Sequence, residues 1–324
     1  MEVSRKQATA IAELRQLFSK YGEIIVSYSG GKDSTCVLDL AMETIGLCSD
    51  PPRIRVLYAD TLVEIPDMQV HRNSFIDLAS KWARSHDINF AFERVTPALE
   101  ETFWVMLIGK GYPMPHYRFR WCVKRLKLKP LLAFYRTRNP SRSLVLLGIR
   151  SGESLDRDVN MRRRNYTKGK WTYIAGSRLR GYMPILDWDE RDVWNYLLDR
   201  ERIFSSAHQA LYKLYNIKPN SAGIRFGCWV CSVVRIDKAL MHLAETNSLA
   251  KKLFDFKKYL IQVSQTNQNR DRRTLKNGHV VNSRLKMDAR REIFSKIVRL
   301  EKEVNQQIIT QQEKEFIQAL WRAV

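Results

Sequence analysis

A short apolar strand that runs into a serine–glycine loop and then into a helix constrains this chain most. Residues 24–28 read I-I-V-S-Y, residues 29–34 read S-G-G-K-D-S, and a helical pattern fills 35–42. Glycine accepts backbone angles that a side chain forbids. The N–H groups of such a turn, and of the helix start behind it, then face an anion. The order predicts a phosphate-binding loop, with an ordinary turn before a helix as the alternative.

Strand and helix patterns alternate through the first part of the chain. Apolar strand patterns occupy 53–60, 89–95 and 143–149, and helical patterns occupy 5–20, 34–47 and 66–86. Strands spaced by helices predict an α/β fold with a doubly wound, mostly parallel sheet, which binds ligands beyond the carboxyl ends of its strands. The loop, Asp60 and the segment 148–154 all follow strands. We therefore expect them at one edge of the sheet.

The pattern changes to helices from about residue 190. Helices are predicted at 190–198, 237–262 and 288–324, and the basic stretch 264–283 between the last two is predicted to be a mobile connection. We therefore predict two domains. Residues 1–200 form the nucleotide domain, and residues 201–324 form a helical, basic C-terminal region.

The composition favours an intracellular enzyme that binds a polyanion. No apolar run is long enough to span a bilayer, and five cysteines, an odd number, argue for the reducing cytoplasm rather than for a disulfide framework. Lys and Arg number 55 against 34 Asp and Glu, a net charge of +21. Excess positive charge favours nucleic acid, although a solvated basic surface is the alternative. The basic residues concentrate in 118–129, 157–164 and 270–291.

The loop S-G-G-x-D-S resembles the pyrophosphate loop of the ATP pyrophosphatase (adenine nucleotide alpha hydrolase) superfamily, and it lacks the spacing of a Walker A loop. Residues 148–157, G-I-R-S-G-E-S-L-D-R, resemble the segment after the fourth strand in phosphoadenylyl-sulfate reductases. The resemblance implies cleavage of ATP to AMP and pyrophosphate, with catalytic Lys32 and Asp33 and with Mg²⁺ held by Asp33 or Asp60. The implied ATP-binding residues are Ser29, Gly30, Gly31, Ser34, Asp60, Gly148, Arg150, Glu153, Ser154 and Arg157.

A third segment, M-P-I-L-D-W-D-E-R-D-V-W at 183–194, resembles the P-L-x-D-W-x-x-x-D-V-W segment of the same reductases. Trp188 and Trp194 are interpreted as packing residues. Asp187 is open to two interpretations, contact with the site or capping of the following helix.

Three of the five cysteines lie in two short motifs, R-W-C at 120–122 and G-C-W-V-C at 227–231. The spacing Cys228-x-x-Cys231 is typical of a metal, iron–sulfur or redox pair, and buried structural thiols are the alternative. A tetrahedral site needs four ligands, and Cys36 and Cys48 are poor candidates.

Together with T-F-W-V-M-L-I-G-K-G-Y-P at 102–113, these motifs resemble the DndC and SspD proteins of DNA phosphorothioation, over about residues 24–234. The resemblance implies that ATP activates the DNA backbone and that sulfur replaces a non-bridging phosphate oxygen. It implies DNA, a cysteine desulfurase as sulfur donor and other phosphorothioation proteins as partners. It also implies a 4Fe–4S cluster.

The chain departs from the DndC pattern in its length and in its cysteines. It is short, which favours the SspD type, and no cysteine precedes G-C-W-V-C, where Ser221 stands instead. Either a cluster with a non-cysteine ligand or a persulfide relay through Cys122, Cys228 and Cys231 therefore stays open. The alternative functions are a phosphoadenylyl-sulfate reductase-like enzyme, a tRNA thiolase, and a non-catalytic scaffold that binds ATP and DNA.

Overall fold

The computed structural model of the chain describes residues 2–152, 169–215, 224, 226–234 and 236–323. The chain divides into two compact units. The first combines Met1–Ala59, Pro66–Val95 and Leu131–Ser221, and the second combines Asp60–Ile65, Thr96–Pro130 and Ala222–Val324. These units are not the two contiguous halves that the sequence suggested, because two segments of the N-terminal half pack with the C-terminal residues.

A six-stranded sheet organises the first unit. Its strands are β1 (Glu23–Tyr28), β2 (Arg53–Ala59), β3 (Phe90–Val95), β4 (Ser143–Leu147), β5 (Trp171–Tyr173) and β6 (Arg180–Tyr182). The spatial order is β3-β2-β1-β4-β6-β5, and every pair is parallel except β5 with β6. The predicted doubly wound, mostly parallel fold is thereby confirmed.

Strand β1 lies at the point where the order in which strands are added to the sheet reverses. The chain moves from β1 to β2 and β3 on one side, and β4 then pairs with the other side of β1. In open α/β sheets such a switch point leaves a crevice at the carboxyl ends of the strands. The loop that follows β1 and Gly148, which follows β4, both lie at that edge.

The first unit contains six helices among the described residues. They are α1 (Glu2–Phe18), α2 (Lys32–Ile45), α3 (Pro66–Ser85), α4 (Lys129–Arg136), α5 (Glu190–Leu197) and α6 (Ser205–Tyr215). Of these, α1, α2, α3 and α5 agree with the predicted ones to within a few residues, and α4 and α6 were not predicted. Helix α5 starts where the acidic residues predicted it. Asp189 and Asp192 each accept a hydrogen bond from the other's backbone N–H at 2.8 Å, which forms a capping box.

The second unit is helical, as predicted, but its predicted helices are interrupted. Residues 237–262 contain two helices, α7 (Lys238–Thr246) and α8 (Ser248–Gln265), because the Asn247 side chain caps a new start. Residues 288–324 contain α9 (Met287–Val304) and α10 (Gln311–Arg322), because Asn305 takes a left-handed conformation and Thr310 caps the second helix.

The prediction of a mobile connection at 264–283 is wrong. The stretch forms a β-hairpin of β7 (Arg270–Thr274) and β8 (Val280–Leu285), joined by a turn in which Gly278 has φ of 81°. Both faces of this ribbon are largely exposed. A ribbon without a buried face shows no alternation of apolar and polar residues, which is the pattern that predicts a strand.

In the part of the chain that the structure describes, no helix combines the length and the apolar character needed to cross a membrane.

His71 on α3 makes the first unit sensitive to acid. The side chain is buried, its ring stacks on Phe75, and its Nε2 has no hydrogen-bond partner among the described residues. Burial, and to a lesser degree the nearby His208, lowers the pKa of His71 from 6.5 to about 4. The folded state therefore favours the neutral ring. Its contribution to stability is complete above pH 6.5 and is lost as the pH falls towards 4.

We expect His71→Phe to reduce the loss of unfolding free energy between pH 7 and pH 4. The lowered pKa is equivalent to about 3 kcal/mol, the largest saving this group can give. Urea unfolding at both pH values measures it, and His86→Phe, which changes an exposed histidine, is the matched control. An equal pH dependence in wild type and His71→Phe would contradict the assignment.

Candidate active site

The loop between β1 and α2 has the geometry of an anion cradle. Gly30 has φ of 79°, which a side chain would disfavour, and Gly31 is the N-cap of α2. Within the described residues, no side chain caps this helix start. The loop is held from inside instead, because the Ser34 hydroxyl lies 3.0 Å from the Ser29 hydroxyl and donates to the Gly31 carbonyl at 3.0 Å. Three N–H groups of the loop have partners within the protein. The Ser29 N–H donates to the Ser34 hydroxyl at 3.1 Å, the Gly31 N–H to the Ser29 hydroxyl at 3.4 Å, and the Lys32 N–H to a tyrosine hydroxyl at 3.4 Å. The start of a helix still favours an anion through its dipole.

Lys32 and Asp33 begin α2 and form a compact charge network. Arg150 Nε donates to Asp33 Oδ1 at 2.5 Å, and Lys32 Nζ lies 3.4 Å from Asp33 Oδ2 and 3.6 Å from Glu190 Oε1. Arg150 is buried, so the Asp33 carboxylate compensates its charge. The structure therefore brings Lys32, Asp33 and Arg150 together as predicted, but it places Arg150 on Asp33 rather than open to a phosphate.

Gly148 allows close packing at the loop because it has no side chain. A Cβ atom there would lie 2.8 Å from the backbone nitrogen of Ser34 and 2.9 Å from the Asp33 carbonyl carbon. Only glycine lets the end of β4 approach the start of α2 this closely. Its predicted part in ATP binding stays a prediction, and its part in packing the loop is a finding.

The sequence analysis missed Tyr215, the last residue of α6. Its hydroxyl accepts a hydrogen bond from the Lys32 N–H at 3.4 Å, and its ring centroid lies 5.3 Å from Lys32 Nζ. The Trp194 ring packs edge-on against Tyr215, with 5.3 Å between centroids. A tyrosine 183 residues from the loop has no local motif, so only the tertiary structure identifies it. The same holds for Glu190.

The segment 183–194 supports the helical cap of the first unit. Trp188 is buried against Tyr196, and Trp194 packs on the tyrosines of α6. Asp187 is exposed and forms an ion pair with Lys170 at 3.3 Å, while Asp189 caps α5. Glu153, Ser154 and Arg157 lie outside the described residues.

Asp60 belongs to the second unit. It is buried, and its Oδ1 accepts a hydrogen bond from the Leu62 N–H at 2.8 Å. The Mg²⁺ role that the sequence predicts for Asp60 and Asp33 stays a prediction, since Asp33 is already engaged by Arg150 and Lys32.

The three motif cysteines are neighbours in the second unit. Each is half-buried and free of disulfides, and Cys228 and Cys231 both act electrostatically on Cys122. The Cys231 N–H donates to the Cys228 carbonyl at 3.0 Å, and the Thr61 hydroxyl lies 3.2 Å from Cys228 Sγ. The structure thus joins residues more than a hundred positions apart. Cys36 and Cys48 belong to the first unit.

Aromatic rings fix the two cysteine-bearing segments. Trp121 stacks on Phe103 with centroids 5.7 Å apart, Phe103 packs edge-on against Trp104 at 4.9 Å, and Trp104 contacts Trp229 at 5.8 Å. The Trp104 Nε1–H donates to the Ile308 carbonyl at 3.0 Å. Trp121 comes directly before Cys122, and Trp229 comes directly after Cys228. The packing of these two rings therefore positions the two thiols.

Cys122 and Cys228 are not activated as free nucleophiles. Burial first, and then negative charge on Cys228 or Cys231, raises the pKa of Cys122 to about 11. Burial also raises the pKa of Cys228, against the opposing charge of Lys127. These two thiols are therefore protonated at neutral pH.

The arrangement does not by itself form a metal site. Over the described ranges, no three His, Cys, Asp or Glu side chains lie close enough together to hold a metal ion. Ser221, the residue at the position of the missing fourth cysteine, lies outside those ranges. A cluster therefore does not fit the thiols as they stand.

We expect iodoacetamide to label Cys122 slowly in the reduced, metal-free protein. A pKa of about 11 leaves few thiolates at pH 8, so labelling should be about tenfold slower than in the urea-unfolded chain. Peptide mass spectrometry across pH 7–11 should show the rate still rising above pH 9. A plateau below pH 9 would show that the thiol is activated.

Three solved structures are similar to this chain in part. Phosphoadenylyl-sulfate reductase from Candida auris, in a phosphate complex, is 14% identical with a TM-score of 0.40, over 62% of this chain and 86% of that one. The U34-tRNA thiolase NcsA from Methanococcus maripaludis, with its [4Fe-4S] cluster, is 14% identical with a TM-score of 0.40, over 82% and 77%. FMN adenylyltransferase from Candida glabrata is 17% identical with a TM-score of 0.36, over 61% and 57%.

Sequence relatives and a family model each match most of the chain. Two uncharacterized proteins of Methanocaldococcus jannaschii are 27% and 24% identical, over 64% and 72% of this chain. The chain spans 41% of the length of each. The model of the phosphoadenosine phosphosulfate reductase domain matches residues 23–234, from the start of β1 to just beyond the cysteine pair. The chain belongs to this family of adenine-nucleotide-using, sulfur-related enzymes.

Proposed function

We propose that this chain is an ATP pyrophosphatase and sulfurtransferase that activates the DNA backbone for replacement of a non-bridging phosphate oxygen by sulfur. The observation that carries the proposal is the assembly of three thiols from distant motifs in a chain whose other unit holds a phosphate loop. The phosphate loop supplies activation, and the thiols supply a carrier for sulfur.

The first unit would perform the activation. The start of α2 would bind the phosphates of ATP, and Lys32 would offset the charge that develops on the leaving pyrophosphate. Arg150 holds Asp33, and Asp33 in turn positions the lysine. An oxygen of a DNA phosphate attacks the α-phosphorus, pyrophosphate leaves, and the backbone phosphate becomes an adenylate.

The second unit would perform the sulfur transfer. One cysteine accepts sulfane sulfur from a cysteine desulfurase as a persulfide, and its terminal sulfur attacks the activated phosphorus and displaces AMP. A second cysteine then attacks the Sγ atom of the cysteine that carried the sulfur. This step releases the phosphorothioate and leaves a disulfide between the two cysteines, which a dithiol reductant restores. The raised thiol pKa values require that persulfides, which are more acidic than thiols, form the reactive anion.

The net charge supports a polyanionic acceptor, because +21 on 324 residues exceeds what a small metabolite requires. Cysteine desulfurase and other phosphorothioation proteins are the proposed partners. A tRNA acceptor would use the same activation and transfer, and a phosphoadenylyl-sulfate reductase would instead release sulfite from a sulfonucleotide.

We expect Lys32→Ala to lower pyrophosphate release from ATP in the presence of DNA by roughly a hundredfold, the effect of losing one charge-stabilising group. Lys81→Ala, at an exposed lysine on α3, is the matched control. Asp33→Asn, which keeps the side-chain shape, should also lower the rate, since it releases Arg150 and Lys32. Normal release from both site variants, with folding verified by thermal melts, would refute the loop assignment.

Replacing Cys122, Cys228 or Cys231 by Ser should stop phosphorothioate formation in cells and leave the affinity for ATP unchanged by calorimetry. Cys48→Ser, at a half-buried thiol of the first unit, is the control. Mass spectrometry of nuclease-digested DNA measures the product, and nucleoside analysis of tRNA from the same cells tests the thiolase alternative. Loss of a thiolated nucleoside with intact DNA modification would assign the chain to tRNA.

A further inference from the structure

We infer that a groove in the second unit binds one strand of nucleic acid, with phosphates on the arginines of the β7–β8 hairpin and an unpaired base on Phe119. This inference deepens the proposed function, because it assigns the surface that holds the acceptor strand. It rests on a cleft with one cationic wall and one aromatic wall.

The hairpin forms the cationic wall. Residues 270–286 contain six basic residues and one acidic residue, Asp271. Arg273 and Arg284 are exposed, and neither forms an ion pair with any residue that the structure describes. Arginines left without a carboxylate on a protruding ribbon are suited to phosphates, which accept two parallel N–H bonds.

Hydrogen bonds attach the base of the hairpin to the rest of the second unit. The Arg270 guanidinium donates to the Ser283 carbonyl at 2.8 Å and to the Ser264 carbonyl at 2.9 Å. The Leu285 N–H donates to the Gly111 carbonyl at 2.7 Å. A Cβ atom at Gly111 would lie 2.9 Å from the Leu285 carbonyl oxygen, so this glycine permits the close approach.

A tight turn at 116–119 forms the aromatic wall. His116 and Phe119 exchange backbone hydrogen bonds at 3.3 and 2.8 Å. Phe119 is 40% exposed, and its ring is nearly parallel to that of Tyr112, with centroids 6.2 Å apart. Tyr117 is 63% exposed, and Arg120 covers one side of its ring at 4.6 Å. Exposed rings held by neighbours are stacking platforms for bases.

The two walls enclose a cleft of about 480 Å³, with Tyr112, His116 and Phe119 on one side and β7 and β8 on the other. A second depression of about 340 Å³ is lined in part by the same residues, His116 and Arg270 among them, and by Ser232. We treat the two depressions together as the groove. Both volumes suit a strand of nucleotides, and the duplex does not offer an unpaired base to Phe119.

Two residues that line the groove are close in sequence to the cysteines. Ser232, which follows Cys231, lines the second depression and donates its hydroxyl hydrogen bond to the Pro115 carbonyl at 2.6 Å. Phe119, which precedes Cys122 by three positions, lines the first cleft.

Fluorescence anisotropy with a labelled oligo-dT strand tests the groove in the full chain. At about 0.1 M salt, Arg273→Ala with Arg284→Ala should weaken binding at least tenfold and should lower the slope of log Kd against log salt by about 1.4, the value for two lost phosphate contacts on a single strand. Phe119→Ala should weaken binding roughly tenfold without changing that slope. An abasic strand should bind Phe119→Ala and wild type alike.

Lys251→Ala with Lys258→Ala is the charge-matched control. It removes two exposed lysines of α8 that pair with Asp255, so the net charge falls equally, and binding should remain within about twofold of wild type. An equal loss in the control pair and in the arginine pair would reduce the effect to net charge and overturn the groove. A duplex that binds as well as the single strand, and is equally sensitive to Phe119→Ala, would also overturn it.

The acceptor's sugar and the proposed function are tested separately. The same sequence as DNA and as RNA shows which strand the groove prefers. Groove variants that lose binding in a chain that forms no phosphorothioate support the groove and refute the function. Groove variants that bind and sulfurate normally refute the groove and leave the function standing.

Discussion

The parallel pairing of β1 with both β2 and β4 is the constraint on which the first unit depends. Because the chain leaves β1 in one direction and returns to its other side with β4, the loop after β1 opens into a crevice between diverging connections. Gly148 then lets the end of β4 touch the helix start. The site thus depends on the strand order of the sheet and on the presence of glycine at position 148.

The second unit brings together three thiols that are remote in sequence. A row of packed rings runs from Trp121 to Trp229, and these two rings are the sequence neighbours of Cys122 and Cys228. Separate frameworks explain why one set of residues consists of paired charges, while the other consists of thiols packed among rings. They also explain why changes in one are expected to leave the other intact.

Local features could be predicted from the sequence, and tertiary ones could not. The strand and loop at 24–34 and the acidic start of α5 carry their own signals, namely glycine, periodicity and capping residues. The β7–β8 hairpin lacks a buried face, and Tyr215 reaches the loop only through the packing of α6 and Trp194. The inclusion of Thr96–Pro130 in the second unit depends likewise on ring contacts made with residues far along the chain.

The interleaved composition of the two units has a consequence for synthesis. Phe103 and Trp104 pack against each other and are almost fully buried. Trp104 contacts Trp229 and Ile308, and both leave the ribosome long after it. At typical elongation rates, the 125 residues between Trp104 and Trp229 take roughly 6 to 25 s to appear. During that interval the apolar side chains of Phe103 and Trp104 remain exposed in the nascent chain. The C-terminal helices therefore act as late-arriving partners, and no single cut in the chain separates one unit from the other.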